Sequence, residues 1–191
     1  SSGWTQTGIM DVTTPPLWVL TGERGAGKTT HCCSLVEQAH AAGWDVAGLL
    51  SPAVFENGIK TGILVEDLRG GKSRHLAQLS TLNVKLSTFN LPFGQWLFDS
   101  SVIAWGNQIL QSRQPCDLFI VDELGPLEFF RGEGWVNAFD ALRQVSYRLG
   151  VVVIRPECID AFAKMGFSFQ VAEAGSSQPS LLTSYRAQAK S

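Results

Sequence analysis

Eight consecutive residues, Gly22-Glu23-Arg24-Gly25-Ala26-Gly27-Lys28-Thr29, satisfy the spacing G-x-x-x-x-G-K-[ST]. Glycines at these positions let the backbone fold so that successive N–H groups face one point. A helix starting there adds the positive end of its dipole. The group suited to such a cradle is a phosphate chain. Lys28 reaches the β- and γ-phosphates, the Thr29 hydroxyl ligates Mg²⁺, and Thr30 follows in the first helical turn. The overlapping G-x-G-x-x-T that begins at Gly25 lacks the third glycine of a dinucleotide fingerprint.

A second group with chemical potential is Leu118-Phe119-Ile120-Val121-Asp122-Glu123. Four apolar residues bury a strand and deliver an acidic pair at its C-terminal end, where ligands bind in open α/β sheets. Asp122 is the expected Mg²⁺ partner of Thr29, through a water. Glu123 is placed to polarise a water for attack on a γ-phosphate. Phosphoryl transfer also needs positive charge near that phosphate. Arg155, at a strand end before Pro156, is the preferred arginine; Arg131 and Arg24 are the other two candidates.

The expected catalytic set is therefore Glu123, Lys28 and Arg155. The nucleotide-binding set is Gly22 to Thr30 without interruption, with Asp122 and Glu123, and Thr29 and Asp122 hold the metal. His31, His40 and His75 show no ligand spacing and read as surface residues. Glu128 and Glu133 read as solvated loop charges, and Trp44 and Trp96 as aromatics able to approach a base or substrate.

These residues need elements to hold them. Leu17–Leu20 reads as a buried strand feeding the glycine-rich turn. A helix follows from Lys28 to Ala42, closed by Gly43, with Cys32, Leu35, Val36 and Ala39 on its core face. Strands are expected at Asp45–Ser51, Cys116–Asp122, Tyr147–Arg155 and Ser168–Ala172. Between the second and third of the mainly parallel strands, Ala53–Glu56, Asn57-Gly58 and Ile59–Leu68 form an inserted β-hairpin, with Ser73–Leu79 beside it. A polar loop then leads to a helix capped by Ser100 or Ser101 and running to Ser112. Another helix covers Trp135–Gln144, and Pro156 opens a short one. Strands alternating with helices imply an α/β sheet covered on both faces.

The chain has 191 residues, 45% hydrophobic and 17% charged, enough for one domain with a sizeable core. That domain is expected over residues 15–174, with a disordered segment 1–14 before it and a flexible tail 175–191 after it. Fifteen basic and 17 acidic residues leave a net charge of −2. The nine arginines are scattered, so no nucleic-acid surface is expected. No apolar stretch is long enough to span a membrane, and residues 1–16 lack a secretory pattern. Four cysteines without a C-x-x-C pair fit a reducing cytoplasm.

Three segments together, TGERGAGKTT, GLLSPAVFENGIKTGILVEDL and FIVDELGPLEF, resemble the small P-loop nucleoside-triphosphatase family that includes cancer-related nucleoside triphosphatase. The likeness runs loosely from Leu17 to Ala172, and the string Asp122–Glu128 is its more specific part. The resemblance implies a RecA-like three-layer fold and slow Mg²⁺-dependent hydrolysis of ATP, GTP and other nucleoside triphosphates to diphosphate and phosphate. It implies residues 22–29 as the phosphate-binding segment and the run around Asp122-Glu123 as a second nucleotide contact. The chain departs from it at Pro126, where members often carry a basic residue, and at Lys60, where they carry arginine. Two other readings of the residues stay open: a P-loop kinase with a small acceptor, though without an arginine-rich lid, and a regulatory ATP-binding module working with a protein partner. A Ras-type GTPase is disfavoured because no N-K-x-D string occurs.

Overall fold

The computed structural model describes residues 17–23, 25–81 and 88–175. The expectations for segments 1–14 and 176–191, and for Arg24, lie outside these residues. The strands are β1 (Leu17–Thr21), β2 (Val46–Leu50), β3 (Ala53–Glu56), β4 (Ile59–Asp67) and β5 (Ser73–Leu79). They continue with β6 (Phe89–Phe93), β7 (Trp96–Asp99), β8 (Leu118–Leu124), β9 (Leu149–Ile154) and β10 (Gln170–Glu173). The helices are α1 (Lys28–Ala41), α2 (Ser100–Leu110), α3 (Pro126–Phe130), α4 (Ala138–Gln144) and α5 (Ile159–Lys164), the last preceded by a 3₁₀ turn at Pro156–Cys158.

All strands belong to one sheet of order β10-β1-β9-β8-β2-β4-β5-β7-β6, with β3 added alongside β4. From β10 to β2 neighbours run parallel. From β2 outward they run antiparallel. Counting parallel strands alone in chain order, the sheet reads fifth, first, fourth, third, second, the order of a RecA-like sheet.

The parallel strands are apolar on both faces because both faces are covered. On one face Leu20, Ile120 and Val153 pack under Cys32, Leu35 and Ala39 of α1. On the other, Val19, Val121 and Val152 meet Val102 and Leu110 of α2, Ala141 and Leu142 of α4, and Phe162 of α5. This gives the expected three layers.

Two features of the chain between β2 and β8 differ from expectation. The polar loop ahead of α2 contains β6 and β7, which close the antiparallel wing. Phe89, Leu91 and Phe93 alternate with exposed Asn90 and Pro92, so β6 is a half-buried strand at the sheet edge, where a proline is tolerated. The cap of α2 is Asp99 rather than Ser100 or Ser101. Its Oδ1 accepts from Ser101 N at 2.9 Å and from the Ser101 hydroxyl at 2.6 Å. The helix thus starts one residue earlier.

β2 and β3 both lie against β4 and are separated only by Ser51-Pro52. Chain that leaves the parallel sheet at Leu50 therefore continues as the hairpin beyond its C-terminal edge. Within the parallel sheet Gly48 lets β2 lie close against β8, with φ +111° and no space for a Cβ against the Ile120 carbonyl.

Candidate functional site

The glycine-rich loop expected to bind phosphate joins β1 to α1. Gly25 and Gly27 adopt φ +83° and +85°, a left-handed backbone that L side chains disfavour, and both face open space. Ala26 N donates to Glu23 O at 3.0 Å, which closes the turn, and His31 N donates to Gly27 O at 2.9 Å as α1 begins. At its base the loop is supported by β10, through Ala174 N donating to Thr21 O at 2.8 Å. Lys28 Nζ curls back over the loop and donates to Gly22 O at 3.1 Å. Glu23, Gly25, Gly27 and Thr30 are exposed, and Gly22, Ala26, Lys28 and Thr29 are half-buried.

β8 ends directly opposite. Asp122 is only 2% exposed, and its Oδ2 accepts from the Thr29 hydroxyl at 3.0 Å and from Ser51 N at 3.1 Å. The Ser51 hydroxyl donates to Asp122 O at 2.6 Å. Burial, with Glu123 next to it, pushes the Asp122 carboxyl up to about 7 against these hydrogen bonds.

Glu123 stands between two cations. Its Oε2 lies 3.7 Å from Lys28 Nζ and its Oε1 lies 3.7 Å from Arg155 Nε. Arg155 follows β9, which runs between β1 and β8, so its head is carried to the same sheet edge. Three parallel strands thus bring Lys28, Thr29, Asp122, Glu123 and Arg155 together at their C-terminal ends.

Residues 18–171 match the sequence profile of the family described as NTPase. The chain belongs to this NTPase family. Nucleoside-triphosphatase THEP1 of Ignicoccus hospitalis is 30% identical over 114 residues, 59% of this chain and 61% of that protein. THEP1 of Methanopyrus kandleri is 30% identical over 129 residues, 67% of this chain and 66% of that protein. The chain thus spans a little under two thirds of the length of these curated relatives. In three dimensions it is similar to the human cancer-related nucleoside triphosphatase, with a TM-score of 0.60 and 17% identity over 93% of this chain and 96% of that one. It is also similar to THEP1 of Aquifex aeolicus, with a TM-score of 0.58 and 19% identity over 88% and 95% of the two chains. These likenesses establish the P-loop NTPase fold.

Within that NTPase frame, several residues stand elsewhere than the sequence suggested. Glu128 is not a solvated charge. It lies largely enclosed, with Oε1 accepting from Gly125 N at 2.8 Å and Oε2 accepting from Trp135 N at 2.9 Å, and burial pushes its carboxyl up to about 7. The reason is the short helix α3, which turns the side chain back into the loop that follows β8.

His31 is half-buried rather than on the surface, because α1 lies flat on the sheet. Its Nε2 is enclosed, and burial pulls its pKa down. Arg131 lies 3.3 Å from Glu133 and over the Phe93 ring, joining the post-β8 loop to the wing instead of the phosphate loop. Trp44 precedes β2 at the opposite end of the parallel strands, 8% exposed beneath Arg148. Trp96 sits in β7, third strand out from β2, with Lys60 over its ring. Neither tryptophan is brought to the phosphate loop.

Sequence reasoning missed Ser51. Its signal was faint: a lone small hydroxyl residue at the end of a strand, before a proline.

The donor set has the chemistry that Mg²⁺ requires. Thr29 Oγ1 and Asp122 Oδ2, both hard oxygens, already meet. Among the described residues no group of three or more His, Cys, Asp or Glu side chains forms a cluster. One hydroxyl and one carboxylate suit an ion that takes its other ligands from phosphate and water. The four cysteines are all unpaired, and burial raises each thiol, which argues against a thiolate nucleophile.

Proposed function

We propose that the chain is a Mg²⁺-dependent nucleoside-triphosphatase that hydrolyses ATP, GTP and other nucleoside triphosphates to diphosphate and phosphate. The observation that carries this is the bracketing of Glu123 by Lys28 and Arg155, each 3.7 Å away, beside the Thr29–Asp122 contact. A carboxylate flanked by two cations occupies the kind of field that a γ-phosphate also seeks. When the triphosphate enters, Lys28 and Arg155 have a stronger anion to meet, and Glu123 is released to act on water.

Glu123 then takes a proton from the attacking water as its oxygen bonds to the γ-phosphorus and the bond to the β-phosphate oxygen breaks. Lys28 and Arg155 offset the charge spread over the transferring group, while the backbone of residues 22–27 holds the phosphates that stay behind. Thr29 and Asp122 would hold Mg²⁺, which would supply charge neutralisation for the transferring phosphate. The side chains gathered here address phosphate and metal, in keeping with nucleoside triphosphates as the substrate class. Among the described residues no helix is long and apolar enough to cross a membrane. The unpaired cysteines support action in a reducing cytoplasm.

The test is orthophosphate release from ATP, GTP, CTP and UTP with Mg²⁺, for the wild type and Glu123→Gln side by side. The variant is expected to lose roughly 10²- to 10⁴-fold in kcat while its nucleotide affinity stays within about 3-fold. Undiminished turnover by Glu123→Gln removes Glu123 from the role of base.

A further inference from the structure

We infer that Glu128 is a positioning residue for hydrolysis, a brace that fastens the turn after β8 to the buried core and thereby sets Arg155 against Glu123. It rests on the assignment of Glu123 and Arg155 to the chemistry above.

One carboxylate spans two otherwise separate pieces of backbone. Oε1 takes the amide of Gly125, two residues past Glu123, and Oε2 takes the amide of Trp135. The Trp135 end is anchored. Its ring is 4% exposed and lies where any side chain at Gly106 of α2 would stand. Asn107 of α2 donates to Gly134 O at 2.8 Å and accepts from Asn137 N at 3.1 Å, so the backbone on both sides of Trp135 is tied to the helix.

The Gly125 end leads to the site. A Cβ at Gly125 would stand 3.3 Å from Arg155 Cδ, so the Arg155 stem lies directly on this turn, and Arg155 N donates to Leu124 O at 3.4 Å. Arg155 Nε is the group facing Glu123 Oε1. A shift of Gly125 therefore moves the bed of Arg155 and the backbone of Glu123 together.

Gly134 provides an independent handle on the same brace. It has φ +75°, and a Cβ there would overlap Glu128 Oε2. The backbone at 134 thus leaves space that only a glycine leaves, and the carboxylate fills it.

The experiment measures kcat, KM and the Kd of a fluorescent ATP analogue with Mg²⁺ for Glu128→Ala, Glu128→Gln, Gly134→Ala and the double variant Glu128→Ala/Gly134→Ala. Thermal unfolding is followed in parallel. A misplacement of about 1 Å at a reacting group costs up to about 100-fold in rate. Glu128→Ala and Gly134→Ala are each expected to lose at least about 10-fold in kcat, with KM and Kd within about 3-fold. Glu128→Gln, which keeps one acceptor oxygen, should fall between them and the wild type. The double variant should be little worse than either single, because both remove the same brace. Should Glu128→Ala fail to fold, Glu128→Gln, of nearly the same shape, carries the test at smaller amplitude. A folded Glu128 variant that keeps wild-type kcat overturns the inference, as does a rise in KM with kcat unchanged or full additivity in the double. Glu123→Gln separates the two claims. If it is inactive while the Glu128 variants turn over normally, only the brace fails; if it is active, the catalytic assignment fails first.

Discussion

Replacing Gly48 by alanine perturbs one atom at the seam between β2 and β8, and the structure assigns it two costs. Gly48 has φ +111°, a conformation that L residues adopt with strain of about 1–3 kcal/mol. An added Cβ would also overlap the Ile120 carbonyl and stand 2.9 Å from both Ile120 C and Ile120 N. These are backbone atoms in the middle of a parallel ladder and cannot rotate away, so overpacking adds roughly 1–3 kcal/mol. The sum, about 2–6 kcal/mol, is a large part of the 5–15 kcal/mol typical of a folded domain. In a chain of this size each kcal/mol lowers Tm by about 2–4 °C, so a fall of about 10 °C is expected.

Gly43→Ala is the matched control. Gly43 has φ +75° but nothing within 4 Å of an added Cβ, so it carries strain without collision. The assay is thermal and urea unfolding followed by circular dichroism at equal protein concentration. Gly48→Ala should lie about 1–3 kcal/mol below Gly43→Ala, the collision cost alone. Equal stabilities would mean that the β2–β8 seam is not as close as the geometry states, and the reasoning from close approach would fall with it.

Lys28→Ala should weaken triphosphate binding by about 2–3 kcal/mol, roughly 30- to 150-fold, read by titration with a fluorescent ATP analogue; undiminished affinity would contradict the phosphate-loop assignment. Arg155→Ala should lower kcat by roughly 10²-fold with KM little changed, checked in steady-state phosphate release. Glu128 gives a pH signature: its carboxyl is pushed from the ordinary 4.5 up to about 7 by burial, so its protonated form is favoured on folding. Its contribution to stability is therefore complete below about pH 4.5 and is lost as pH rises through about 7, by up to about 3 kcal/mol. Asp122, also pushed up to about 7, contributes a decline over the same range, so urea unfolding should show a decline that Glu128→Gln reduces without abolishing, and an unchanged slope in the variant would refute it.

The glycine-rich loop was legible in the sequence because its shape is set by local backbone conformation. Eight residues contain the whole instruction: glycines where φ must be positive at Gly25 and Gly27, and a lysine and a threonine at the first helical positions. The β8 acid pair was legible for a similar reason, since a run of four apolar residues announces a buried strand and the two acids follow it directly, as the fifth and sixth of its seven residues. The hairpin was announced by Asn57-Gly58 between two alternating runs.

What tertiary structure alone decided involves residues far apart in the chain. Ser51 meets Asp122 across 71 positions, and Thr29 meets Asp122 across 93. Arg155 faces Glu123 only because β9 lies between β1 and β8, and strand order is a property of the assembled sheet. Glu128 looked like an ordinary loop acid because hydropathy describes a side chain's average preference, not its neighbours. Its enclosure came from the amides of Gly125 and Trp135 and the space left by Gly134. Local spacing thus determined the shape of the candidate site's loop and which acids follow the strand, while long-range packing determined which charges stand beside them and how firmly they are held.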